Sequence, residues 1–144
     1  MHLKVAVLLI MGRERRSCLF GELETCGVEI LTACDCAEGG RILDAHTSVQ
    51  VVFTDTLLPD GDWRTTLETA AQSDASPEVV VCAPVGVPRR LWAEALGAGA
   101  YDVLMEPFGQ GEVQRVVDAA AAKSYMRSLP PGREVGSRAA PEPT

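Results

Sequence analysis

The sequence predicts a doubly wound α/β domain, a parallel sheet with helices on both faces. Apolar residues switch between a period near 2 and a period near 3.6 five times along the chain. Val5-Ala6-Val7-Leu8-Leu9-Ile10 is a continuous apolar run, the pattern of a strand covered on both sides. Alternating strands and helices imply parallel strands, and right-handed crossovers narrow these to the doubly wound arrangement. Composition agrees: at 47% apolar and 5% aromatic the core must be aliphatic and alanine-rich, which suits helices packed on a sheet. A chain of 144 residues suffices for one well-buried core.

The elements follow in order. After the strand Val5–Ile10, positions 14–26 place Cys18, Leu19, Leu23 and Cys26 at helical spacing, and Gly27 suits the turn that ends a helix. Val28–Thr32 is a half-polar second strand, and 37–45 a short helix with Ile42 and Leu43 inward. Val49–Thr54 is the third strand, followed by a Pro59-Asp60-Gly61 loop and a helix over 62–72. Glu78–Cys82, after Pro77, is the fourth strand, and 89–96 a helix ended by Gly97 and Gly99. Tyr101–Met105 and a helix over 112–126, with Val113, Val116, Val117, Ala120 and Ala121 as its inner stripe, complete the domain. The domain is thus expected over 1–127. From Ser128 the sequence SLPPGREVGSRAAPEPT is rich in Pro, Gly and Ser without apolar periodicity, and 128–144 is expected to be a disordered tail.

Charge and composition exclude several functions. A net charge of −7 argues against nonspecific nucleic-acid binding, which needs Lys and Arg to neutralise phosphates. The apolar run Val5–Met11 is short for a secretory leader and lacks a small-residue cleavage site, and no stretch approaches the ~20 apolar residues of a membrane span. A cytoplasmic, non-membrane protein is expected. Cys18, Cys26, Cys34, Cys36 and Cys82 show no paired metal spacing, and His2 and His46 join no zinc pattern. They are expected as reduced, mostly buried thiols.

The stretch VVFTDTLLPDGDW, 51–63, delivers Asp55 to the carboxyl end of the third strand, where doubly wound sheets bind their ligands. Here the chain resembles the receiver domain of two-component response regulators over about 5–127. Asp55-Thr56-Leu57-Leu58-Pro59-Asp60-Gly61-Asp62 resembles the phospho-acceptor strand end and proline loop of that family. Gly99-Ala100-Tyr101-Asp102-Val103-Leu104 resembles the approach to its fifth strand, and Glu106-Pro107-Phe108 stands where it has Lys-Pro-Phe. The resemblance implies a flavodoxin-like (βα)5 fold with strand order 2-1-3-4-5 and a cis bond before Pro107. It also implies a phosphorelay role in which Asp55 receives a phosphoryl group from a histidine kinase. In that family an acidic pair after the first strand holds Mg²⁺, a hydroxyl on the fourth strand bonds the phosphoryl group, and a lysine on the fifth pairs with it.

Residue by residue, this chain departs from that pattern. The acidic pair falls at Ile10-Met11, or at Met11-Gly12 with one gap, and none of these is acidic. Magnesium, which requires oxygen ligands, loses its main carboxylates, so its binding is expected to be weak or absent. The hydroxyl position is Cys82 and the lysine position is Glu106. One like-charge pair at ~5 Å and an effective dielectric of ~20 costs roughly 3 kcal/mol. Phosphorylation at Asp55 is therefore expected to be poor. Arg13, Arg15 and Arg16 crowd the loop where the acids would point; one of them, Arg13 or Arg15 above all, pairs with Asp55 in place of the cation, or they form a solvated helix start.

Trp63 either lies over the site or packs on the surface of its own helix, and Cys82 is expected to be an inert core thiol beside a carboxylate. His46 reads as a solvated helix end. A non-enzymatic signalling module is favoured, acting through protein contacts with a histidine kinase or another signalling protein. The alternative is an aspartate-nucleophile phosphatase of the haloacid dehalogenase type, but the second carboxylate it needs is Leu57. In receivers, output runs through the fourth helix, fifth strand and fifth helix. Trp92 and Leu96, one turn apart on that fourth helix, are the candidate partner or homodimer surface: the resemblance turns them outward, whereas periodicity alone turns them inward. No second folded unit is expected after the fifth helix, so the chain is a stand-alone regulator or part of a longer protein.

Overall fold

The computed structural model of the protein describes residues 5–128. Five parallel strands form one sheet, β1 (Ala6–Ile10), β2 (Glu29–Ala33), β3 (Val49–Asp55), β4 (Glu78–Ala83) and β5 (Asp102–Met105). Numbered so, their order is β2-β1-β3-β4-β5, as expected. The helices are α1 (Arg13–Glu24), α2 (Cys36–Ala45), α3 (Trp63–Gln72), α4 (Arg90–Gly97) and α5 (Glu112–Ser128). Helix α5 includes Ser128, and the rest of the expected tail, 129–144, lies outside the described residues. No helix of the described residues is long and apolar enough to cross a membrane.

The two-residue period of the strands sorts their side chains into two layers. Val7 and Leu9 of β1, Val51 and Phe53 of β3, Val80 and Cys82 of β4 and Leu104 of β5 face α1 and α5. There they meet Leu19 and Leu23, together with the stripe Val113, Val116, Val117, Ala120 and Ala121. Ala6, Leu8 and Ile10 face the other way, with Val49, Val52 and Val79, toward Leu43 of α2 and Ala70 of α3. Gly39 lets α2 press on this layer, since a Cβ there would stand 2.4 Å from Cδ1 of Ile10. Gly27, at φ +70°, makes the left-handed turn after α1 that a glycine adopts without steric cost.

Trp63 takes neither of its expected places. It is buried among Val81, Ala83, Ala95, Ala100 and Val103, filling the layer between α3 and α4, with the Arg64 guanidinium 4.3 Å above its ring. The first residue of an amphipathic helix faces inward when the next inward positions are Thr66 and Ala70, and no period inside so short a stretch announces that. Trp92 and Leu96 point outward at 48% and 44% exposure, while Ala95 between them carries the contact with the sheet. Periodicity alone assigned them to the core because α4 is apolar on more than one face. Of the five thiols, only Cys36 and Cys82 are buried; Cys18 and Cys34 are exposed and Cys26 is intermediate, contrary to the expected burial of most.

Candidate functional site

Asp55 is the last residue of β3, at the carboxyl edge of the central strand and in register with Cys82 of β4. Its chain cannot continue as sheet. Leu57–Leu58 and Gly61–Asp62 close a small antiparallel hairpin around Pro59-Asp60, which the sequence reading treated as a plain loop. Asp62 then caps α3: its carboxylate accepts from the Arg64 and Thr65 amides, and its own amide donates to the Thr65 hydroxyl. Asp60 is used just as fully. Its two oxygens accept from the Cys36 and Ala37 amides at 2.9 and 3.0 Å, tying the β3–α3 loop to the first turn of α2. These amide bonds hold its carboxyl below the ordinary aspartate range. A carboxylate two strands away is a partner that spacing along the sequence cannot reveal.

Asp55 is 6% exposed, and both of its oxygens are engaged. Oδ2 accepts from the Gly12 amide at 3.1 Å, while Oδ1 accepts from Nε of Arg15. Gly12 is the N-cap of α1 and has no side chain to cap it, so the carboxylate from β3 supplies negative charge at the positive end of that helix. The other nitrogens of Arg15 are also occupied. Nη1 lies 3.2 Å from Oε1 of Glu106, and Nη2 donates to the Cys82 carbonyl at 3.1 Å. One guanidinium thus bridges β3, β4 and the residue after β5. Burial alone would lower the pKa of Arg15, but the bond to Asp55 and the charges of Asp55 and Glu106 outweigh it and raise it. The group remains a permanent cation.

Arg15 is therefore the arginine that meets Asp55; Arg13, two residues earlier, is exposed. Glu106, expected to oppose charge at the site, is instead partnered by the same guanidinium. The Glu106–Pro107 bond is cis. Ile10 and Met11 are buried apolar side chains, and Gly12 offers only its amide toward Asp55. Glu14, the nearest acid in sequence, is exposed. This donor set does not fit Mg²⁺, which needs several oxygens around an open position. Here one carboxylate is committed to an amide and a guanidinium, and the second carboxylate to the same guanidinium. Burial first, and then the Asp55 charge, push the Cys82 thiol well above its ordinary range, so it stays protonated.

NtrX from Brucella abortus superposes with a TM-score of 0.76 at 23% identity, covering 93% of this chain and 29% of that one. A response regulator receiver domain protein from Clostridium thermocellum gives a TM-score of 0.74 at 21% identity, over 87% of this chain and 99% of that one. The chain has the fold of a response regulator receiver domain. The beryllofluoride-activated NtrC4 receiver domain dimer is similar too, with a TM-score of 0.71 at 22% identity, covering 83% and 98% of the two chains. No family model matches the sequence, and no curated protein does. At these identities the likeness shows the fold.

Proposed function

We propose that this receiver-fold domain is a signalling module whose acceptor position is occupied by its own arginine, so that it works through protein contacts and not as a phosphorylation switch. The observation that supports this most strongly is the guanidinium of Arg15, shared among Asp55, Glu106 and the Cys82 carbonyl. Phosphoryl transfer needs a carboxylate lone pair aimed at phosphorus, with cations to offset the charge that accumulates as the groups approach. Each oxygen of Asp55 already accepts a hydrogen bond, and Arg15 already serves two carboxylates. Attack by Asp55 would break its bond to Arg15. The incoming phosphoryl group would then meet Glu106 with no metal ligands nearby.

On this reading the domain is not an enzyme and requires no magnesium. Its partners are a histidine kinase or another signalling protein, with no role for nucleic acid or membrane, and it works in the cytoplasm. The outward pair Trp92 and Leu96 supports contact through the α4–β5–α5 face, in a homodimer or with a second protein. The phosphatase alternative is not favoured: Leu57, where a second carboxylate would be needed, is an exposed apolar side chain. Incubation with acetyl phosphate and Mg²⁺, followed by intact-mass measurement, tests the proposal. Wild type and Asp55→Asn are expected to remain equally unmodified. A phosphoryl adduct on wild type that is absent from Asp55→Asn would overturn it.

A further inference from the structure

Beside the Asp55 constellation, a cavity of about 430 Å³ opens between α1, the loop after β4 and the residues after β5. Cys18 and Glu22, one helical turn apart, line it from α1. Val85 lines it from the loop after β4, and Glu106, Pro107 and Phe108 from the stretch after β5. The walls are mostly hydrocarbon, and Val85 is 74% exposed.

The charge of this cavity is wholly negative. Glu22 is exposed and forms no ion pair among the described residues. Oε1 of Glu106 lies 3.2 Å from Nη1 of Arg15, but that guanidinium also serves Asp55. Two carboxylates against one guanidinium leave one negative charge, so Arg15 fixes Glu106 without cancelling the charge of the site. No Lys or Arg of the described residues lines the cavity.

These properties select among ligands. An acidic segment is repelled by like charge, and a purely apolar one would desolvate carboxylates without pairing them. A small hydrated cation gains nothing from Val85, Pro107 and Phe108. A guanidinium on a hydrocarbon stem suits both parts: it is weakly hydrated, lies against an aromatic face and forks onto a carboxylate. Val85 is left for an aliphatic neighbour on the same segment to cover.

We propose that this cavity is a docking site for a basic segment of a partner protein, an arginine flanked by aliphatic residues, with Glu22 and Glu106 as the charges that select it. The inference deepens the contact reading above and rests on Arg15 holding Glu106 in the cavity wall. It adds a second surface, apart from Trp92 and Leu96, and the chemistry of what binds there.

The probe is the peptide acetyl-Gly-Leu-Arg-Leu-Gly-amide, titrated into the full chain while backbone amide shifts are followed by NMR. Saturable shifts at Cys18, Glu22, Val85, Glu106 and Phe108 are expected, with a dissociation constant on the order of 1 mM for a peptide of this size. The same peptide with glutamate in place of arginine should bind about tenfold more weakly or worse. Glu22→Gln should weaken binding of the arginine peptide about threefold, and Val85→Ser about tenfold. Both residues are exposed, so neither change disturbs the fold. Trp92→Ala should leave binding unchanged, which separates this surface from the face of α4. The proposal is overturned if the arginine peptide gives no saturable shift at these amides, or if the glutamate peptide binds as tightly. It is overturned equally if butylguanidine alone matches the peptide, since the cavity would then take small organic cations. The titration contains no phosphoryl donor, so its failure leaves the account of Asp55 standing.

Discussion

At the scale of single residues, the guanidinium of Arg15 holds together three parts of the sheet's carboxyl edge that otherwise repel or ignore one another. Asp55 is nearly buried and Arg15 only partly exposed, so the pair is worth more than a surface ion pair. A double-mutant cycle with Arg15→Met and Asp55→Leu, measured by urea unfolding near pH 7, is expected to give a coupling energy of about 1–3 kcal/mol. A coupling near zero would mean that the two side chains do not meet in solution. The sequence offered Arg13, Arg15 or Arg16 for the cation's role, with a solvated helix start as the alternative. Which one takes that role depends on helix phase: only a residue in the first turn that faces back over the sheet can reach β3, β4 and β5 at once. Glu106 was legible as a reversed charge, but its partner was not, because the two are 91 residues apart.

At the scale of elements, Asp60 shows how a loop fixes the start of a neighbouring helix. Its carboxylate accepts from two amides of the first turn of α2, and those bonds favour the charged form. The sign follows from linkage: a carboxyl whose folded pKa is depressed contributes stability that is fully present above its unfolded value, near 3.9, and lost as the pH falls through its folded value. Asp60→Asn should therefore flatten the acid limb. The fall in urea midpoint between about pH 5 and about pH 2 should be smaller in the variant than in wild type. Equal falls would show that the Asp60 bonds do not persist in solution. Five strands and five helices were legible because apolar runs alternate with helical spacing, with Gly or Pro at boundaries such as Gly27, Pro77 and Gly97. The hairpin of Leu57–Leu58 with Gly61–Asp62 was not, since two-residue strands carry no period. Trp63 was misread for a related reason: its in-phase neighbours Thr66 and Ala70 are small and mark an inward face only weakly.

At the scale of the whole molecule, the receiver fold leaves Trp92 and Leu96, one turn apart, exposed on the outer face of α4. On an acidic chain such a patch is a natural anchor for a partner. Trp92→Ala is expected to change stability by no more than about 0.5 kcal/mol, as for other surface positions, and to dissociate any self-assembly. Sedimentation of the two proteins across a concentration series decides the matter. If wild type and variant both run as folded monomers at every concentration, the homodimer is excluded and only a different partner remains for this face.

The central claim is that Asp55 is not available as an acceptor, and beryllofluoride tests this most directly because it must bond a carboxylate oxygen to mimic a phosphoryl group. Wild type should be titrated with beryllofluoride and Mg²⁺ while the backbone amides of Gly12, Asp55, Cys82 and Glu106 are followed by NMR, with Asp55→Asn as the control. The expected result is no saturable shift at any of these amides in either protein. A saturable shift centred on Asp55 in wild type, absent from Asp55→Asn, would contradict the account, because it would show Arg15 giving way to a metal-supported phosphoryl analogue.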